Sequence, residues 1–443
     1  YTADGMTYIY SNPSDYGFNY WPTVDPHRMP GTTVDRDTSR ADSTGGGTKM
    51  PDKSWVGGVS LEGTYGTAGM DFKQHTYYND PPSNVNLEAK KSWFMFDDEV
   101  VALGSGITST SGRDIETVFE NRAINSQGNN TLTVNGIAKP SSLGWSETMN
   151  DVNWIHLDGT GGYVFPDSTQ VKGLREGREG EWYDINHLSY DKADDDFNST
   201  TLGGVWKWVR EDSTKHALTG EALNITATDG SIAGTTNTTK NILLAAAPQF
   251  DFSTDTKLTF SPTATGQRAG LIIYKDDDNY VSISRVRSID GNYIVTESEI
   301  GGMHANNLSS DIYGETVYFK IEKRGSDYLF YASNDGVTWG TALRTYTNAM
   351  AGTDGANSGL KMGLTAAKVA SSPEITASFD YHHVKDARNY LTLWTDHGID
   401  PENATYSYII LPGKTAAEVE SYNGNQNVSI LKNDTTVQAV KED

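Results

Sequence analysis

The 443-residue chain has no cysteine. That excludes a disulfide framework, thiolate metal sites and a cysteine nucleophile. It has no apolar run of membrane-spanning length, and its mean hydropathy is −0.54, as expected of a soluble chain. Positive charge is scarce: 35 Lys and Arg stand against 58 Asp and Glu, a formal net charge of −23. Such a surface repels nucleic acid and anionic lipid, which removes nucleic acid and membranes from the expected partners. An acidic polysaccharide fits only where basic residues gather locally. No HExxH, GxSxG or P-loop pattern occurs, so no self-contained catalytic set is expected.

What is abundant is tyrosine (24), tryptophan (10) and glycine (44), with many Thr, Ser and Asn. This mix favours short strands and turns over helices. Strands are expected in KSWFMFDDEVVALGSGI (91–107), DIETVFENRAI (114–124), TLTVNG (131–136) and GGYVFPD (161–167), each bounded by turn residues. One short helix is expected within LPGKTAAEVESY (411–422). The texture changes at DKADDDFNSTTLGGVWKWVRED (191–212), and regular strand spacing then runs to ITASFDYHHV (375–384). SNDGVTW (333–339) carries the Asp-Gly signal of a tight hairpin. The expected fold is therefore all-β: a large antiparallel sandwich (1–192 and 387–443) interrupted by an inserted sandwich domain (193–386). The composition is also that of many secreted bacterial carbohydrate enzymes.

Five ordered blocks give the chain a resemblance. WPTVDPHRMPGTTVD (21–35), KSWFMFDDEVVALGSGI (91–107), ENRAI (120–124), EGEWYDIN (179–186) and LWTDHGIDPENATYSYIILPG (393–413) resemble the central β-sandwich of polysaccharide lyase family 8. Its members are the hyaluronate, chondroitin AC and xanthan lyases, and the blocks look most like those of the xanthan-degrading enzymes. The segment from DDFNSTTLGGVWKW to FDYHHV resembles the concanavalin-like jelly rolls appended to carbohydrate-active enzymes. The resemblance implies β-elimination at a uronic acid, with removal of terminal pyruvated mannose from xanthan side chains. It implies that the catalytic Asn, His, Tyr and Arg belong to an α/α toroid preceding Tyr1, and that a small β domain follows Asp443. Hyaluronate or chondroitin AC lyase is one alternative; a non-catalytic binding or adhesion module is another.

Candidate site residues follow. In LREGREGEWYDIN (174–186), Arg175 and Arg178 lie on a Gly-punctuated segment. A guanidinium fork suits a sugar carboxylate, and the resemblance makes Arg178 the counterpart of a sandwich-domain arginine that contacts the terminal mannose. The alternative for Arg178 is a surface ion pair with Glu176 or Glu179. Asp97, Asp98 and Glu99 repel one another unless water or a cation separates them. Hard oxygen ligands suit Ca²⁺, and the resemblance implies a structural calcium there, with Glu442 a further ligand. Asp195, Asp196 and Asp380 are a weaker second calcium candidate. Trp206, Trp208, Tyr274, Tyr280 and Trp339 are candidates for sugar stacking, although their place in β runs makes most of them core residues. His397 is expected to be structural.

Overall fold

The computed structural model describes residues 4–12, 15–17, 19–36, 53–74, 85–186, 193–350 and 359–443. Strand accounts for 55% of the chain and helix for 5%, so the fold is all-β. The chain divides into two compact units. One, the host, comprises residues 1–178, 184–187 and 388–443; the other, the insert, comprises 179–183 and 188–387.

The host is a two-layer sandwich. One layer runs through the antiparallel strands Val56–Leu61, Tyr65–Lys73, Glu88–Met95, Val100–Thr108, Ala404–Pro412 and the start of Gly161–Gly180. The other includes Thr33–Asp35, Asp114–Ile124 and the host part of Ile375–Ile399. Ser146–Leu157 pairs along the long Gly161–Gly180 strand, with bulges between Val164 and Val171. Bulges bend and twist a strand. Alternation along each strand sends Phe72, Ala102, Ile115, Phe119, Ile155, Tyr163, Phe165, Leu391, Leu393 and Tyr408 into one core. On the opposite face of the first layer, Val101, Leu103, Ile409 and Leu411 pack with Val419 and Val428. Val419 lies on the expected short helix, which spans Ala416–Gly424. Its start is fixed by a capping box: Thr415 accepts from the Glu418 amide while the Glu418 side chain accepts from the Thr415 amide.

The insert is also a sandwich of two sheets. One orders Leu223–Asp229, Ile375–Ile399, Phe252–Thr259, Thr316–Arg324 and Asp327–Ser333 side by side. The other orders Ile242–Ala246, Lys361–Lys368, Arg268–Asp276, Asn279–Arg287, Asn292–Ile300 and Met303–Ser310. Leu223, Ile225, Leu258, Leu271, Ile283, Val317, Phe319, Phe330, Leu364 and Phe379 fill the space between them. The ends of the insert meet. Asp195 and His382 exchange two backbone hydrogen bonds, 2.8 and 2.9 Å, and the His382 ring bridges the Ala193 carbonyl (2.7 Å) and Thr254 Oγ1 (3.0 Å).

The hairpin expected at Asp335-Gly336 is not a tight one. The Asp335 carboxylate accepts from the amides of Val337 and Thr338 and closes the loop on itself. The next strand, Arg344–Tyr346, pairs only later with residues 328–330. A side chain that satisfies local amides competes with the two-residue turn.

Candidate functional site

Much of the sequence in the five blocks forms a network of buried polar struts in the host. Arg28 makes a two-point contact with Glu116, both N···O distances 2.9 Å, and its guanidinium lies 3.9 Å from the Trp394 ring centroid. Arg113 holds the fully buried Asp35 in the same forked way, at 2.6 and 3.0 Å. Arg122 pairs with Asp15 and Glu120, and Glu120 also accepts from the Tyr163 hydroxyl at 2.7 Å. Asn121 donates to the Arg28 carbonyl at 3.0 Å. Together these pairs fasten residues 15–36 to the strand Asp114–Ile124.

His397, within the DHG block, bonds Thr117 Oγ1 at 2.8 Å. Burial pushes its pKa down to about 4, so it is neutral at pH 7 and serves as a strut.

Beside this network sits a second cationic locus. Tyr390, fully buried, shares its hydroxyl with Thr23 Oγ1 (2.8 Å) and the Tyr20 carbonyl (3.1 Å). Arg178 donates from Nε to the Thr23 carbonyl at 2.8 Å, and its Nη1 is 3.6 Å from Glu176, an extended ion-pair distance. A third of the Arg178 side chain, 32%, stays exposed. Arg388, two residues before Tyr390 and so on the same face of the strand, places a buried Nη1 without a hydrogen-bond partner among the described residues. The charges of Arg388 and Arg178 both act on the Tyr390 hydroxyl. Two guanidiniums therefore act on one tyrosine, and among the described residues their one carboxylate contact is the 3.6 Å approach of Glu176 to Arg178. Arg388 was not singled out from the sequence; its position two residues from a buried tyrosine was the available signal.

Arg175 does not belong to this locus. It is 0% exposed, and its guanidinium donates to the Gly128 carbonyl at 2.9 Å and the Asn130 carbonyl at 2.6 Å. It is a strut, and its assignment to substrate binding is withdrawn. The reason is strand geometry: residues three apart point to opposite faces.

The acidic turn is only partly as expected. Asp98 points into solvent, 67% exposed, and pairs with Lys414 at 2.8 Å. Asp97 interacts with the Tyr65 hydroxyl, raising its pKa. Glu99 is buried and accepts from the Tyr422 hydroxyl at 3.3 Å. Glu442 is held above its ordinary range by desolvation and by the charges of Glu99 and Asp97. Asp97 and Glu99 thus both act on Glu442, while Asp98 is engaged by Lys414 at the rim of a groove that Glu99 also lines. Among the described residues no group of three or more His, Asp or Glu stands close enough together to hold a metal ion, so the four-carboxylate cage does not fit Ca²⁺ as it stands. The second set is dispersed too: Asp195 accepts from the Trp206 indole at 3.0 Å, Asp196 pairs with His383 at 2.9 Å, and Asp380 pairs with Lys257.

Of the aromatic candidates, Trp206, Tyr274 and Tyr280 are buried. Trp208 packs against the insert core and stacks on His216, ring centroids 4.1 Å apart. Trp339 is half-buried, with the Lys320 ammonium 5.2 Å from its ring.

The host is thus an all-β sandwich interrupted by a second sandwich, with buried arginine–carboxylate pairs holding its loops, an architecture that does not by itself fix a function. Similarity to known proteins narrows the class. The super-sandwich domain of polysaccharide lyase family 8 matches residues 1–211 and 363–423, and the chain belongs to that family. The concanavalin A-like domain found at the C-terminus of β-xylosidases matches residues 194–385. A xanthan lyase of Bacillus sp. (strain GL1) is 47% identical over 194 residues, covering 42% of this chain and 19% of the relative. A hyaluronate lyase of Thermasporomyces composti is 38% identical over 191 residues, covering 42% of this chain and 23% of the relative. Among solved structures, a Paenibacillus xanthan lyase aligns over 100% of this chain and 24% of its own, with 30% identity and a TM-score of 0.49. The chain thus spans about a fifth of the length of these curated relatives.

Proposed function

We propose that the chain is the β-sandwich portion of a secreted bacterial xanthan lyase, which cleaves by β-elimination at glucuronate to release the terminal, pyruvated mannose. The observation that carries this reading is the 47% identity to a xanthan lyase, against 38% to a hyaluronate lyase over a similar span. The Arg178–Arg388 locus supports it chemically, because paired guanidiniums with little carboxylate contact suit a sugar carboxylate.

In β-elimination the uronate carboxylate is neutralised while a base removes the C5 proton. In this reading the groups that do so lie in the toroidal segment of the complete protein. The host contributes binding: Arg178 Nε is fixed by the Thr23 carbonyl, which leaves its terminal nitrogens to meet an anion.

The structural calcium expected from the resemblance forms no part of this proposal, because no three carboxylates among the described residues stand close enough to hold it.

The test is incubation of the complete protein, and separately of this chain, with xanthan, hyaluronan and chondroitin, following the absorbance of the unsaturated uronate product. The complete protein should act fastest on xanthan, and the 443-residue chain should yield no product. Faster release from hyaluronan would move the substrate to the alternative, and product from the chain alone would overturn the assignment of catalysis to another segment.

A further inference from the structure

A second feature of the host has no place in that chemistry. The strand Val56–Leu61 pairs, among the described residues, only with Tyr65–Lys73 and so forms a sheet edge. It leaves apolar groups in solvent: Trp55 is 61% exposed, Val59 66% and Leu61 61%. An exposed apolar edge is a liability that proteins ordinarily blunt with charge or cover.

Here the indole has a built seat. Gly57 and Gly69 face each other across the two strands. A Cβ on Gly57 would lie 3.4 Å from Trp55 Cζ2, and one on Gly69 would lie 3.5 Å from Cη2. The ring therefore covers a bare glycine pair and keeps most of its surface in water.

The same face of the sheet continues into a polar groove of about 450 Å³, whose lining includes Lys53, Asp71, Asn86, Glu88, Lys90 and Thr108. Lys53 is two residues from Trp55. Asp71 is two residues from Gly69, donates its amide to the Trp55 carbonyl at 3.0 Å, and faces Lys90 across the strands. Lys53 reaches Asp71 (3.0 Å) and Glu88 (2.7 Å), Lys90 reaches Asp71 (3.1 Å), and Lys73 reaches Glu88 (3.2 Å). Within the groove two ammonium groups thus stand against two carboxylates, with Lys73 beside it, so this lining is balanced in a chain of net charge −23.

We propose that this groove, with Trp55 at its rim, is an accessory binding site for an acidic polysaccharide strand. The apolar C–H face of one pyranose stacks on the indole. The carboxylate of a neighbouring sugar meets Lys53 and Lys90, whose ion pairs are exposed enough to exchange partners. The side-chain amide of Asn86 and the hydroxyl of Thr108 supply neutral hydrogen-bonding groups for ring hydroxyls. The volume falls within the roughly 300–1,000 Å³ usual for ligand sites. Hydroxyl, amide and ammonium lining favours a sugar chain over an apolar protein surface, which would leave those groups unpaired.

The choice of an acidic polymer rests on the lyase reading, but binding here needs no catalysis, so the two can fail separately. The test is affinity electrophoresis of the 443-residue chain in gels holding xanthan, hyaluronan or uncharged hydroxyethylcellulose, with Trp55→Ala and Trp55→Phe as variants. Thermal melts confirm that each variant is folded. The chain should be retarded by the acidic polymers, about tenfold less after Trp55→Ala, with partial recovery in Trp55→Phe and further weakening by added salt. Equal retardation of the parent and Trp55→Ala would overturn the site. So would equal retention by the uncharged polymer, or a self-association abolished by Trp55→Ala without any retardation. If the complete protein proves inactive as a lyase while Trp55-dependent retardation persists, the accessory site stands and only the lyase reading falls.

Discussion

Arg175 and Arg178 stand three residues apart on one strand and have opposite fates. Arg175 is sealed against the carbonyls of Gly128 and Asn130, whereas Arg178 is tethered by one nitrogen to Thr23 and keeps a third of its side chain in solvent. Their substitutions should therefore separate. Arg175→Met takes the donor from the buried Gly128 carbonyl and the half-buried Asn130 carbonyl and should lower stability by about 1–3 kcal/mol, seen as a lower denaturation midpoint at an unchanged slope. Arg178→Ala should leave the midpoint almost unmoved. In the complete protein it should raise KM for pyruvated xanthan by roughly ten- to hundredfold with a smaller fall in kcat, the loss expected for a charge-assisted contact of about 1.5–3 kcal/mol. Equal losses on pyruvated and depyruvated xanthan would remove Arg178 from recognition.

Arg388 gives the companion prediction. Its Nη1 is buried without a partner among the described residues, so removing it orphans no observed hydrogen bond of that nitrogen. Arg388→Gln should weaken binding of pyruvated substrate about tenfold and change stability by less than ~1 kcal/mol. A large drop in the melting midpoint with unchanged KM would make it a structural residue.

A buried pair in the insert sets its acid limit. Burial alone would raise the carboxyl of Glu297, but the Arg268 guanidinium at 2.8 Å and the His304 ring hold it down to about 2. A carboxyl depressed from 4.5 stabilises the fold fully above about pH 4.5 and loses that contribution as pH falls towards 2. The loss should approach about 3 kcal/mol, since each tenfold change in proton affinity corresponds to about 1.4 kcal/mol. Unfolding by denaturant at pH 6, 4.5, 3.5 and 2.5 should show this slope in the parent chain and a flatter one in Glu297→Gln. Parallel slopes would mean that other carboxylates dominate acid unfolding.

The strands were largely legible because their signals are local. DIETVFENRAI corresponds residue for residue to the observed strand Asp114–Ile124, and Thr415 with Glu418 marked a helix start. The partners of charged side chains were not legible, because they are remote in sequence. Lys414 reaches Asp98 from 316 positions away, and Gly128 meets Arg175 from 47. Sequence spacing placed Asp97, Asp98 and Glu99 together as a cluster, but they lie in the turn between Glu88–Met95 and Val100–Thr108, closed by the Phe96 amide on the Glu99 carbonyl, where successive side chains diverge to different partners. The same limit applied to the Asp335 loop, where one carboxylate replaced the expected turn.

Calcium gives a further prediction. If the calcium that the resemblance implies at Asp97, Asp98, Glu99 and Glu442 did bind there, millimolar Ca²⁺ would raise the melting midpoint of the chain relative to chelator, because binding to the folded state alone stabilises it by mass action. Glu99→Gln would then abolish the increment. Superimposable melts with Ca²⁺ and chelator are the expected outcome, since among the described residues no three carboxylates stand close enough to hold the ion.

The last prediction concerns the two ends of the insert. Asp195 and His382 hydrogen-bond to each other through their backbones, and the His382 ring ties Ala193 to Thr254. The ends are therefore adjacent without help from the host, the usual condition for a tolerated insertion. Replacing residues 193–386 by a short Gly-Ser linker should leave a host that unfolds in one cooperative transition. The excised insert should fold as well, with its own core. His382→Ala should destabilise the insert by about 2–3 kcal/mol, because a buried ring is lost and the Ala193 carbonyl loses its donor. It should also change the pH response. Burial pushes His382 down to about 4 from an ordinary 6.5, so the unfolded chain binds the extra proton in that interval and stability falls as pH drops from 6.5 to 4. Calorimetry of the excised insert at pH 7, 5.5 and 4.5 should show that decline, reduced in His382→Ala. A broad, non-cooperative transition in the linker-joined host would show instead that its strands depend on the insert for their folding.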